Sequence, residues 1–136
     1  MLTMQKLMDT FSDISARERS KYHVTLGKLI EALRKANPES VVTFNHNTTF
    51  GPSKPHSYRG YYSDLSLGIT APPKVKEFLP LCEEANGNVF EGYKGGDFKM
   101  SNDTPLWCAS YGECGLAIVD IHITPESVVL QTRDVD

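Results

Sequence analysis

Apolar residues recur three and four apart at three places along the chain, the spacing that puts them on one face of a helix. In "TLGKLIEALRKANP", Leu26, Leu29, Ile30 and Leu33 mark one face, and Lys28, Glu31, Arg34 and Lys35 the other. The pattern predicts an amphipathic helix after Thr25 that stops at Asn37 and Pro38, because proline lacks an amide proton and disfavours helical geometry in its predecessor. Leu2, Leu7, Met8, Phe11 and Ile14 predict an earlier helix within residues 1–20, with the charged "ARERSK" as its solvated end. "PPKVKEFLPLCEEANG" begins with prolines where a first turn tolerates them and carries Val75, Phe78, Leu79 and Cys82 as a stripe. Pro80 predicts that this third helix is short or kinked and ends near Gly87.

Elsewhere the pattern is that of strands. "SVVTF" reads as one, "NHNTTFGPSKPH" as a loop, and the stretch from Tyr58 to Ile69 as a second strand interrupted at Gly60. "NVFEGY", "PLWCASYG", "LAIVDIHI" and "SVVLQT" follow as extended segments, the last two pairing across "TPE". The order helix, helix, strand, strand, helix, then mostly strands with short connections predicts an α+β fold. Its antiparallel or mixed sheet packs with two or three helices in one domain spanning 1–136, an N-terminal helix over 1–20 and a core over 25–136.

Composition narrows the function. With 136 residues, 40% hydrophobic and 23% charged, the chain can bury a core without disulfides or metal. A formal charge of −3 argues against broad binding to a nucleic acid polymer, which draws on many phosphate contacts from a basic face. A small anion needs only one or two placed cations and some backbone donors. Cys82, Cys108 and Cys114 form neither a CxxC pair nor an even set and read as reduced thiols, which points to the cytoplasm. The first residues have no continuous apolar stretch, so they read as neither a signal peptide nor a membrane span.

No GxSxG, GxxxxGK[ST], HExxH or strand-following GxGxxG occurs. His23, His46, His56 and His122 lack metal-binding spacing, although His46 and His56 could meet across a loop. Cys108 and His122 are a conceivable nucleophile and base, set against an inert, buried Cys108. Asp64, Asp97, Asp103 and Asp120 match no metal loop and read as solvated turn residues. No cofactor, metal or catalytic group is therefore assigned. Two segments point instead to binding. "YKGGDF" sets Lys94 before two glycines able to take left-handed conformations, as either an anion-holding nest or a plain hairpin turn. "SYRGYY" sets the forked guanidinium of Arg59 among tyrosines whose rings offer π-faces to a base. The competing reading is a tyrosine-rich sheet face with Arg59 in a salt bridge to Asp64 or Glu91.

Together "SYRGYYSDLSLG" and "FEGYKGGDFKMSNDTPLWCASYG" resemble a family of small phage-encoded proteins that includes the Thoeris anti-defence sponges, over roughly Thr25 to Val119. The resemblance implies a homo-oligomer, a hexamer built from dimers, in the host cytoplasm. It would hold cyclic ADP-ribose isomers or cyclic oligonucleotides without cleaving them. It implies Arg59 as a phosphate contact and Phe90 as a base contact, with Gly60, Tyr61, Lys94 and Asn102 as further ligand-binding residues. The family also leads us to expect an arginine at the start of the penultimate strand, within "GECGLAIVDI", where this chain has no basic residue. Arg133 substitutes only if the last strand folds back. The alternatives are a module that binds a host protein through the tyrosine-rich face, and a nucleotide-processing enzyme using Asp97, Asp103 and His122.

Overall fold

The computed structural model describes residues 19–58, 61–92, 95–109 and 115–134. Among them are two helices, α1 (Leu26–Lys35) and α2 (Val75–Ala85). The strands are β1 (Val41–Phe44), β2 (Gly51–Ser57), β3 (Leu65–Thr70), β4 (Val89–Glu91), β5 (Asp97–Lys99), β6 (Leu106–Cys108), β7 (Leu116–Ile123) and β8 (Ser127–Arg133). Six strands form one sheet in the order β1-β8-β7-β6-β3-β2, and β4 and β5 form a separate hairpin. The pairs β1/β8 and β3/β6 are parallel and the other pairs antiparallel, so the fold is α+β with a mixed sheet. The helix expected within 1–20 lies outside the described residues except for its last two positions.

The core lies between the helices and one sheet face. In α1 the buried residues are Leu26, Leu29, Ile30 and Leu33, the four that the periodicity selects, and the Thr25 side chain accepts a bond from the Lys28 amide at 3.4 Å. In α2, Val75, Phe78, Cys82 and Ala85 are buried and Pro80 is exposed. They meet Val42, Phe44, Leu65, Leu67, Leu106, Ile118, Val128 and Leu130, all from one side of the sheet. Ordinary alternation leaves the residues between them on the other side.

Two local features differ from the sequence expectation. "GPSKPHS", assigned above to a loop, is β2, an edge strand antiparallel to β3 with a register irregularity between Pro52 and Pro55. An edge strand tolerates proline because its outward positions donate no ladder bond. The strand expected from Tyr58 begins only at Leu65; among the described residues between β2 and β3, Tyr58 N–H reaches Asp64 O and Asp64 N–H reaches Tyr61 O, both at 2.9 Å.

The chain entering α1 is part of the sheet. Val24 donates to Ile118 O at 2.6 Å and accepts from the Leu106 amide at 3.1 Å, which fills the gap where β6 and β7 diverge. At the far edges β1 and β2 come together: a Cβ on Gly51 would lie 2.2 Å from Val42 O and 2.8 Å from Pro72 Cα. Only a residue without a side chain allows the backbones this approach.

Candidate functional site

On the sheet face away from the helices, strand register aligns His56, Ser66, Trp107, Ala117 and Arg133 across five strands. Register partners project to the same side, so this row faces away from the core. Trp107, Ala117, Tyr58 and Ala109 form their own buried cluster there. Tyr58 stacks on Trp107 with ring centroids 4.6 Å apart, and its hydroxyl accepts from the Gly115 amide at 3.0 Å. The His23 ring meets Trp107 edge-on at 4.6 Å.

Asp64, read above as a solvated turn residue, is fully buried beside Trp107. Arg19 donates to it through Nε (2.6 Å to Oδ2) and Nη2 (3.0 Å to Oδ1), and the Trp107 indole donates to Oδ2 at 2.9 Å. The Ser63 hydroxyl adds a longer bond of 3.4 Å to Oδ1. Four donors on one carboxylate satisfy a charge that burial would otherwise make costly. The "ARERSK" segment is therefore not wholly solvated: the Arg19 side chain is only 12% exposed. Asp64, suggested as an ion-pair partner for Arg59, is paired with Arg19; Arg59 itself lies outside the described residues. The same guanidinium lies 3.7 Å from the Tyr61 ring centroid, a cation–π stack, while Tyr61 remains 46% exposed. Tyr61 is thus a surface ring held by a buried ion pair.

The two segments singled out in the sequence meet next to this ring. Tyr62 packs edge-on against Phe98 of β5 at 6.1 Å, and Phe98 pairs across the hairpin with Phe90. Gly92 makes the contact possible, since a Cβ there would lie 3.0 Å from both Tyr62 Cδ2 and Phe98 Cε2. Gly95 and Gly96 have φ of 95° and 88°, and the Gly95 amide donates to Gly92 O. Of "YKGGDF", Gly95 and Gly96 lie in the connection between β4 and β5 with the Gly95 amide engaged by Gly92 O, and Lys94 lies outside the described residues. The Tyr62–Phe98 contact joins the β2–β3 connection to the hairpin, with Tyr61 turned toward Trp107 at 5.8 Å and Phe90 packed against the core.

Of the six expected ligand contacts, Arg59, Gly60 and Lys94 lie outside the described residues. Tyr61 lies beside Trp107 and Arg19, and Phe90 lies on the hairpin against the core. Asn102 is elsewhere, at the start of α1: its carbonyl accepts from the Gly27 amide, and its side chain accepts from Asn86 at 2.8 Å. The last strand does fold back, and Arg133 stands opposite Ala117 near the start of β7, on the face that carries Trp107. Arg19, His23, Asp64 and Trp107 were not singled out as a group. Their sequence separation hides them, and the one available signal was the indole of Trp107, which needs an acceptor when buried.

The enzymatic alternatives find less support. Cys108 is buried, and desolvation pushes its thiol up to about 11. It pairs with Leu116, whereas His122 lies six residues further along β7, roughly 20 Å at ordinary strand rise. Asp97, Asp103 and His122 sit on three different elements, the hairpin, the turn before β6 and the distal half of β7. His46 stacks on Phe44 and its Nδ1 bonds the Thr132 hydroxyl at 3.0 Å. Among the described residues no three His, Cys, Asp or Glu side chains converge as a metal site, and no helix is long and apolar enough to cross a membrane.

His23 makes the cluster sensitive to acid. Its Nδ1 proton is donated to Leu106 O at 3.2 Å, and burial lowers its pKa below the ordinary value, outweighing that bond and the nearby Asp64 charge. The unfolded chain therefore binds more protons in this range, and stability falls as pH drops through 6.5 toward the depressed folded value. Denaturant midpoints between pH 7.5 and 5.5 should decline more steeply in the parent than in His23→Gln; equal slopes would contradict the assignment.

No protein-family model, curated protein or solved structure matches this chain.

Proposed function

We propose that this chain holds a small cyclic nucleotide-type signal, of the cyclic ADP-ribose or cyclic oligonucleotide class, without cleaving it. In this reading it is a phage product that lowers the free signal in the host cytoplasm, acting as a homo-oligomer. The observation that carries the proposal is the meeting of the "YRGYY" and "FEGYKGG" segments. Tyr61 is exposed and backed by the Arg19–Asp64 pair, and its neighbour Tyr62 meets Phe98, the register partner of Phe90, so two aromatic contacts come from adjoining segments. Arg59 and Lys94, the cations of those segments, supply phosphate contacts, and Gly60 allows close approach. Stacking adds roughly 1–3 kcal/mol per base and a charge-assisted hydrogen bond about 1.5–3 kcal/mol. A few of each suffice for tight retention.

A thermal-shift panel of cyclic ADP-ribose isomers and cyclic di- and trinucleotides tests this reading. A ligand at about a thousandfold excess over its Kd stabilises by roughly 4 kcal/mol. That stabilisation should shrink in Tyr61→Ala and largely vanish in Arg59→Ala, with both variants folded. The exposed rings of Tyr22 and Tyr61 favour a second reading, a face that binds a host protein. An unresponsive panel together with stoichiometric capture of one host protein would support that reading instead.

A further inference from the structure

Phe90 also lines a cleft that lies between β2, α2 and the hairpin. Pro55, Leu81, Ala85 and Phe90 make its apolar surface, and Lys54, Glu84 and Asn88 its polar one. Its volume is about 90 Å³, well below the roughly 300 Å³ of a pocket that encloses a drug-sized molecule. It suits one planar ring system inserted at its face, with the rest of the ligand outside. The polar groups are uncommitted in a way that specifies that ring. Among the described residues neither Lys54 nor Glu84 has an ion-pair partner, although both stand at an apolar surface. Asn88 accepts the Val89 amide through Oδ1 at 2.9 Å, which fixes the orientation of its amide and leaves Nδ2 as a donor.

We propose that the Phe90 cleft is a nucleobase subsite selective for guanine, with Glu84 as the specificity-determining residue. This rests on the nucleotide-binding reading and deepens it. A carboxylate only accepts hydrogen bonds, and guanine presents two adjacent donors, N1–H and the 2-amino group, to one carboxylate. Guanine O6 and N7 are acceptors that match a lysine ammonium and an amide donor. Adenine offers a single amino group on that edge and an acceptor at N1 that would face the carboxylate. Uracil places an acceptor on each side of its one N–H. The base would stack on Phe90 and exclude water from these bonds.

Calorimetric titration of the full chain with guanosine 5′-monophosphate and adenosine 5′-monophosphate tests the assignment. Guanosine monophosphate should bind about tenfold or more tightly than adenosine monophosphate. Glu84→Gln, a change at an exposed position whose melting temperature should match the parent, should abolish that preference. Lys54→Ala should weaken both nucleotides. Absence of guanosine monophosphate binding, equal affinity for the two, or a preference that survives in Glu84→Gln would each overturn the subsite. If cyclic nucleotides still stabilise the parent while the subsite fails, the nucleotide-binding reading stands alone. If they do not, both fall.

Discussion

Asp64→Ala is expected to destabilise the fold by about 3–5 kcal/mol, the range found when one partner of a buried ion pair is removed. The carboxylate is fully buried and receives Arg19 twice and the Trp107 indole once, so its loss removes two bonds from the guanidinium and the acceptor of the indole N–H. Trp107 is the chain's one tryptophan, and its fluorescence reports on this cluster alone. Urea denaturation followed by that emission should show a lower midpoint, with a changed native spectrum. Asp64→Asn, which retains an acceptor for the indole, should lose less. A loss below about 1 kcal/mol, the level of an exposed pair, would mean that the Arg19–Asp64 pair is solvated and does not anchor Tyr61.

Gly51→Ala is expected to cost roughly 3 kcal/mol, at the upper end of what overpacking costs. The added Cβ would meet Val42 O at 2.2 Å and Pro72 Cα and Pro73 Cδ at 2.8 Å. Most of these contacts are backbone or proline ring, which cannot swing aside as a flexible side chain would. Relief requires β1 and β2 to separate where Phe44 N–H reaches Phe50 O at 3.1 Å. The same denaturation experiment checks it, and a change under about 0.5 kcal/mol, the scale of an unremarkable surface substitution, would mean that the two edges part readily.

The two described helices were legible, except that Ala85 rather than Leu79 completes the buried stripe of α2, because one periodic stretch carries most of the signal. Leu26, Leu29, Ile30 and Leu33 lie within ten residues and need no distant partner to be read. The strand β2 was not legible, because Pro52 and Pro55 signal a loop unless the strand is known to be at an edge. The aromatic segments drew attention through composition, but their meeting depends on Gly92 lying under Tyr62, a contact across thirty positions of sequence. The Arg19–Asp64–Trp107 cluster was the least legible. Each charged residue alone matches a solvated one, and only the fold reveals that they satisfy one another. The register of Arg133 with Ala117 was conditional on a strand reversal, and the β7–β8 pairing supplies it.

The most direct test of the central claim is equilibrium dialysis of the purified chain against the cyclic nucleotide that stabilises it most, followed by denaturation and mass analysis of the retained ligand. The account predicts excess ligand on the protein side, saturating at a fixed ratio to the chain and recovered chemically intact after prolonged incubation. Equal ligand on both sides, or recovery as linear or fragmented products, would contradict it.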